Sequence, residues 1–401
     1  MTTALHLGVA LDGAGWHPAA WRHPAARPGD LFTAGYWTDL ARLAERGLLD
    51  LLTIEDAFGL QSSRYAGPDD RTDQVRGRLD ACLIASMVAP LTTRIGLVPT
   101  VNTTHTEPFH VASAIATLDY ASRGRAGWRA QISVKASEAD LVGRRAFPDV
   151  HPRRSNDDER AGFVADIFDE AADAVEVVRR LWDSWEDGAE IRDAATGRFI
   201  DRDKLHYVDF AGRFFSVKGP SIVPRPPQGQ PLVVALAHST VPFELAARSA
   251  DVAMVTPADE ADVARWVADV RAAEARVGRT GEPLRLLADV EVHLDDSAAA
   301  ATERTAWLDE LDGRPQRSDA AILATTPGEL ADTLAAWAAH GLDGFRLRPA
   351  VLPLDLEGIV DGLVPELQRR GLFRTSYDDG LLRERFGLAR APSRYATEVP
   401  A

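Results

Sequence analysis

Asn102, Thr103, Thr104 and His105 close the apolar run "RIGLVPTV" and lead into the helical segment "FHVASAIATLDYAS". Two hydroxyls, an amide and an imidazole at the end of a buried strand can donate, accept and change charge near neutrality, which suits them to holding a polar heterocycle. A helix start is the plainer use of the stretch. Thr106 ahead of Glu107 and Pro108 fits an N-cap, although that role leaves Thr103 and Thr104 unexplained.

Three other strand ends carry chemistry-bearing side chains. "LHLGVALDGAGWHPAAWRHP" sets His17, Trp21, Arg22 and His23 after the first strand, and a surface loop accounts for the group nearly as well. "LLTIEDAFG" ends in Glu55 and Asp56, carboxylates that need partners if enclosed and that otherwise cap a helix or turn. "VVALAHSTVPFELAA" brings His238, Ser239 and Thr240 to a strand–helix junction, where free N–H groups favour a phosphate or the hydroxyls simply cap.

Several other chemistries lack their signatures. "DGAG" at residues 12–15 is too short for a dinucleotide fingerprint, no P-loop or serine elbow occurs, and no His-x-His or His-Glu-x-x-His spacing offers a metal site. Cys82, in "LDACLIASMV", reads as a small apolar helix residue. Redox chemistry would therefore need a borrowed cofactor.

The elements that must position these residues alternate. Strand-like runs "LHLGVA", "DLLTIED", "RIGLVPTV", "GWRAQIS", "PLVVALA", "VAMVT", "LRLLADVEVHL" and "GFRLRPA" are separated by segments of helical period. Eight parallel strands with helical crossovers predict an α/β fold, a closed (β/α)8 TIM barrel whose chemistry sits at the carboxyl ends of the strands. Long insertions at about 135–162 and 186–230 are expected on that face, the second with a hairpin in "HYVDFAGRFFSV" and a stiff return over Pro224 to Pro231. "FVADIFDEAADAVEVVRRLWDSW" should be the longest helix. Residues 1–388 are read as a single barrel domain and residues 389–401 as a tail that wraps or frays.

Composition agrees with a large folded core: 401 residues, 45% hydrophobic and 26% charged. A net charge of −15 opposes nonspecific binding to nucleic acid or anionic membranes. One cysteine excludes an intrachain disulfide, and the N-terminal stretch lacks a charged leader with a long apolar run, so a cytoplasmic protein is expected.

Taken together, "GWHPAAWRHP", "YWTDLARLAERGLLDLLTIEDAFG", "TTRIGLVPTVNTTHTEPFHVASAIATLDYASRGRAGW", "VVRRLWDSWEDGA" and "GLVPELQRRGLFRTSYDDGLLRERFGL" resemble the bacterial luciferase-like flavin monooxygenases, in the branch with nitrilotriacetate, dibenzothiophene-sulfone and long-chain alkane monooxygenases. The resemblance implies the barrel, reduced FMN supplied by a separate flavin reductase, and O2 activated as a peroxyflavin to oxidise a small organic substrate. It also implies that Asp56, Thr103 and Thr104 border the isoalloxazine, that Ser239 lies near the phosphate, and that His17 faces the reaction cavity. His17 or His105 would protonate or stabilise the peroxide, with His17 ranked first.

This chain departs from the branch at three points: Arg129 stands for an Asn, Ile167 and Phe168 for an Arg-Tyr pair, and Ala237 for a phosphate-loop glycine. Arg129, or an arginine such as Arg153, is expected to supply the missing cation. A deazaflavin-dependent hydride transfer and a non-catalytic flavin-binding barrel are the rival readings. The arginines of "RRAFPDVHPRRS" suggest an anionic substrate or a solvated loop, and the helices "RLDACLIASMVAPL" and "FHVASAIATLDYA" would serve a homodimer interface or pack within the shell.

Overall fold

The computed structural model describes residues 4–62, 64, 67–148 and 157–396, so Arg153 lies outside the described residues. Eight parallel strands close a ring: β1 (His6–Leu11), β2 (Leu51–Ile54), β3 (Gly96–Asn102), β4 (Gly127–Gln131), then, after the insertions, β9 (Leu232–Leu236), β10 (Val252–Val255), β11 (Arg285–Leu294) and β13 (Gly344–Pro349), which pairs back to β1. The numbers between belong to two antiparallel hairpins, β5 (Glu190–Asp193) with β6 (Arg198–Ile200) and β7 (Phe210–Ala211) with β8 (Ser216–Val217), and to β12 (Ala321–Thr325). The fold is a (β/α)8 TIM barrel.

Helices cover the outside: α1 (Ala34–Arg46), α2 (Ala81–Val88), α3 (Pro108–Ser122), α4 (Ala136–Val142), α5 (Asp157–Asp183), α6 (Thr240–Ser249), α7 (Glu260–Arg276), α8 (Ala298–Asp312) and α9 (Pro327–Ala338). Among these α5 is the longest, at 27 residues, as its apolar period predicts. No helix among the described residues is long and apolar enough to cross a membrane.

The strands obey a period of two, and each face has its own content. Leu52, Ile54, Leu97, Val233, Val255, Leu286 and Phe345 point outward into the shell, where the helices bury them. Leu51, Val98, Val234, Met254 and Leu287 point inward and form a separate apolar plug with Leu382, Phe386 and Leu388 of the C-terminal segment. The ring is tight here: a Cβ on Gly8 would sit 2.8 Å from Leu51 Cδ1, and one on Gly127 would sit 2.9 Å from Val98 Cγ2. One step farther along the strands the inward positions become Thr53, Thr100, Arg129, Asp289 and Arg346, so the barrel is greasy at its amino end and charged at its carboxyl end.

Three local features differ from the sequence reading. The N-cap of α3 is Glu107, not Thr106, and no side chain caps it; the proline that follows drives Glu107 into extended backbone (φ −65°, ψ 128°), and Pro108 begins the helix. The second insertion holds the expected hairpin around Gly212 and also β5–β6. Finally, β12 is an extra parallel strand outside the ring, paired to the second half of β11 from Val290↔Ala321 to Leu294↔Thr325.

Candidate active site

The charged upper layer of the barrel is a chain of ion pairs. Arg129 Nη1 donates to Glu55 Oε2 and Thr100 Oγ1, each at 2.9 Å, and Glu55 Oε1 accepts from Arg346 Nη1 at 2.9 Å. Arg346 grips Asp289 through Nε at 2.8 Å and through Nη2, while Arg348 reaches the same carboxylate through Nε at 2.9 Å and then pairs with Asp319. Three guanidiniums thus meet three carboxylates, all of them buried except Asp319, which opens to solvent. Burial by itself would raise the pKa of Asp289, but Arg346 and Arg348 outweigh it and hold the group below the usual carboxylate range. Glu55 is held low in the same way by Arg129 and Arg346.

Among the described residues, the loops above this floor line three cavities. The first, about 650 Å³, lies between Gly13–Trp21 after β1, Gln74–Arg76 of the long β2–α2 loop, and Asp312–Arg317 after α8. The second, about 200 Å³, lies over Thr103–Pro108 against Arg145 and Phe215. A third, about 260 Å³, runs between Ala57–Ser62 and α4.

His17 is buried beside the first cavity, with both nitrogens engaged. Nδ1 accepts from the Ala19 N–H at 3.0 Å, which places the ring proton on Nε2, facing Asp309 Oδ1 at 3.2 Å. Burial pushes its pKa down, more than Asp309 raises it. Among the described residues His105 has no side-chain hydrogen-bond partner. Its Nε2 is buried without a partner, and the ring sits between Phe58 and Phe147 with centroids at 5.6 and 5.4 Å. Burial, then the Arg145 charge, pushes its pKa down and keeps it neutral near pH 7. The unengaged nitrogen therefore belongs to His105, whereas the sequence ranking favoured His17.

The threonines are partly committed. Thr103 Oγ1 donates to the Gln131 carbonyl at 3.1 Å, leaving lone pairs free; Thr104 Oγ1 accepts from the Ser133 N–H at 3.0 Å, leaving its own proton free. Asp56 acts as an anchor for chain turns: its oxygens accept from Ala57 N–H at 2.7 Å and Ala81 N–H at 2.9 Å, fastening the start of α2. Ser239 is the exposed N-cap of α6, and its side chain makes no capping hydrogen bond. Arg129, read from sequence as a phosphate cation, has Nη1 bonded inside the ring to Glu55 and Thr100, with Nε buried and unpartnered.

Comparison with known proteins settles the class. The family model for luciferase-like monooxygenase matches residues 14–341. The chain belongs to that family. It is 31% identical to the N-acetyl-S-(2-succino)cysteine monooxygenase of Bacillus subtilis strain 168 and 30% identical to nitrilotriacetate monooxygenase component A of Aminobacter aminovorans, each alignment covering 98% of both chains. The crystal structure of a long-chain alkane monooxygenase superposes with a TM-score of 0.85 at 24% identity over 96% of each chain, a likeness of fold. As a luciferase-like monooxygenase, the protein is an oxidoreductase of the flavin-dependent type.

Sequence reasoning missed the ion-pair floor and the residues that hold His17 and its neighbours. Asp289, Glu291 and His293 alternate on β11, as Arg346 and Arg348 do on β13, and charges two apart in an otherwise apolar strand mark one interior face. That signal was available. The contributions of Asp309 and Gln316, from α8 and the turn beyond it, had no such periodic mark.

Proposed function

We propose that the protein takes up reduced FMN from a separate flavin reductase and uses it with O2 to oxidise a small organic substrate at the carboxyl-end face. The observation that carries this reading is an open α6 helix start at Ser239 on the same face as an unengaged, neutral His105. Uncapped N–H groups and the positive end of the helix dipole suit a phosphate. The free lone pairs of Thr103, the free proton of Thr104 and the buried Nε–H of Arg129 suit the edge of a planar heterocycle.

When bound, FMN would supply electrons and oxygen activation, by the peroxyflavin route that the family resemblance implies. The protein's own part is distinct. His105, seated between two phenylalanines, would hold or move a proton at Nε2. The loop carrying Phe58 and Leu60 would cover the mouth and limit water, which diverts oxidising equivalents to hydrogen peroxide. The ion-pair floor would keep the strand ends rigid, and Asp309 would hold His17 in a single tautomer.

The test is anaerobic titration of the purified chain with reduced FMN, followed by admission of O2 and stopped-flow absorbance. Saturable binding and a slowed, O2-dependent reoxidation are expected. Failure to bind any reduced flavin would overturn the reading, and turnover that persists under strict anaerobiosis would favour deazaflavin-type hydride transfer.

A further inference from the structure

The cavity beside His17 has an unbalanced lining. Its cations are Arg76, Arg314 and Arg317, and its carboxylates are Asp12 and Asp312. Those carboxylates are already engaged: Asp312 by Arg71 at 2.9 Å and by Arg314 at 3.1 Å, Asp12 by Arg78 at 3.2 Å. Arg76 is tied to Asp69. Arg317 is exposed and has no carboxylate partner among the described residues. A cavity whose acids are all answered and which keeps one cation over attracts an anion locally, although the whole chain carries −15.

The tryptophans of the same lining are apolar toward a ligand by construction. Trp16 spends its indole N–H on the Ala10 carbonyl at 2.9 Å, and Trp21 spends its own on the Asp73 carbonyl at 3.0 Å. What these residues offer a ligand is therefore ring surface. Trp16 is held flat by Arg348, whose guanidinium carbon lies 4.4 Å from the ring centroid, so that ring is fixed from behind by the ion-pair floor. A guanidinium at the rim and aromatic faces within define a ligand with one anionic head and an apolar body.

We propose that this cavity takes an amphipathic organic acid, its carboxylate captured by Arg317 and its body lying against Trp16 and Trp21. The proposal rests on the monooxygenase reading only in treating the cavity as the substrate's, and it names that substrate's chemical class. Guanidinium matches a carboxylate with paired N–H donors, whereas an amine would meet a surplus of positive charge and a neutral amide would forgo the charge.

The experiment uses three probes with one body: 4-phenylbutanoate, 4-phenylbutanamide and 4-phenylbutylamine. Each is titrated into the full chain, with and without saturating FMN, following tryptophan fluorescence and isothermal calorimetry. The acid is expected to bind about tenfold more tightly than the amide and the amine most weakly, the size of one charge-assisted hydrogen bond. Arg317→Ala should reduce acid affinity by a similar factor, about tenfold, without changing amide affinity, and Arg317→Glu should weaken the acid further. Arg317 is exposed and pairs with no carboxylate among the described residues, so both variants should fold as the parent does. Equal affinity for acid and amide, an Arg317→Glu variant that binds the acid unchanged, or no acid binding in either condition would overturn the proposal. Loss of flavin binding alone would leave the flavin-free preference intact and count only against the monooxygenase reading.

Discussion

Replacing Asp289 with asparagine should be among the most damaging single-atom-scale changes in the barrel. Asp289 is fully buried and receives two guanidiniums, Arg346 through Nε at 2.8 Å and Arg348 through Nε at 2.9 Å, with a further bond from each. The variant leaves three buried cations facing two carboxylates, and its amide NH2 must point at one guanidinium. Breaking a buried pair in this manner costs about 3–5 kcal/mol. With an unfolding entropy of about 2 cal/mol/K per residue, a chain of this length should lose about 4–6 °C in Tm. Asp319→Asn is the internal control, because that carboxylate is 56% exposed and the buried Arg348 it bonds keeps Asp289 as its partner, so the loss should stay at about 1 kcal/mol. Differential scanning calorimetry of both variants measures the contrast, and near-UV circular dichroism reports whether Trp16 loses its stacked Arg348. Equal, small shifts for the two variants would refute the claim that Asp289 neutralises a closed ionic floor.

Burial pushes Glu291 up to about 7 from an ordinary 4.5, so the folded state holds its proton more tightly than the unfolded state. Folding stability from this group is therefore present below about pH 4.5 and lost as pH rises toward 7, by about 3 kcal/mol at most. Glu291→Gln should remove that slope; a parent and variant whose stability difference is the same at about pH 5 and about pH 8, by urea denaturation, would contradict it. His105→Ala should lower substrate oxidation by about 10²-fold while reduced FMN continues to be consumed, with the difference recovered as hydrogen peroxide in a coupled peroxidase assay. Ser239→Asp, which sets a negative charge at the open start of α6, should weaken FMN binding by about tenfold or more in a fluorescence titration, whereas Ser239→Ala should weaken it less.

The ring of eight strands was legible because each strand is a short apolar run bounded by helical periods, and burial on both faces produces that pattern locally. The ninth, β12, was not. "AILAT" is a similar run, but it finds a partner only because β11 extends past the ring and offers its second half, a fact of register rather than composition. Glu55 was singled out beside Asp56, yet the two diverge: alternation sends Glu55 inward to Arg129 and Arg346, and Asp56 to the backbone at the start of α2. Sequence could mark both as carboxylates in need of partners, but not assign the partners, which arrive from β4 and β13. That His17 is engaged while His105 Nε2 is not has the same origin. Asp309, which occupies His17, lies 292 residues away in the chain.

The ionic floor and the rim of the mouth also differ in how they answer the medium. Dissolved ions surround Arg317, an exposed side chain, but have almost no access to Arg346, which is fully enclosed. Raising the electrolyte concentration would therefore weaken the long-range pull on an arriving acid while leaving the shape of the chamber beneath it unaltered, so that recruitment and architecture respond to different variables.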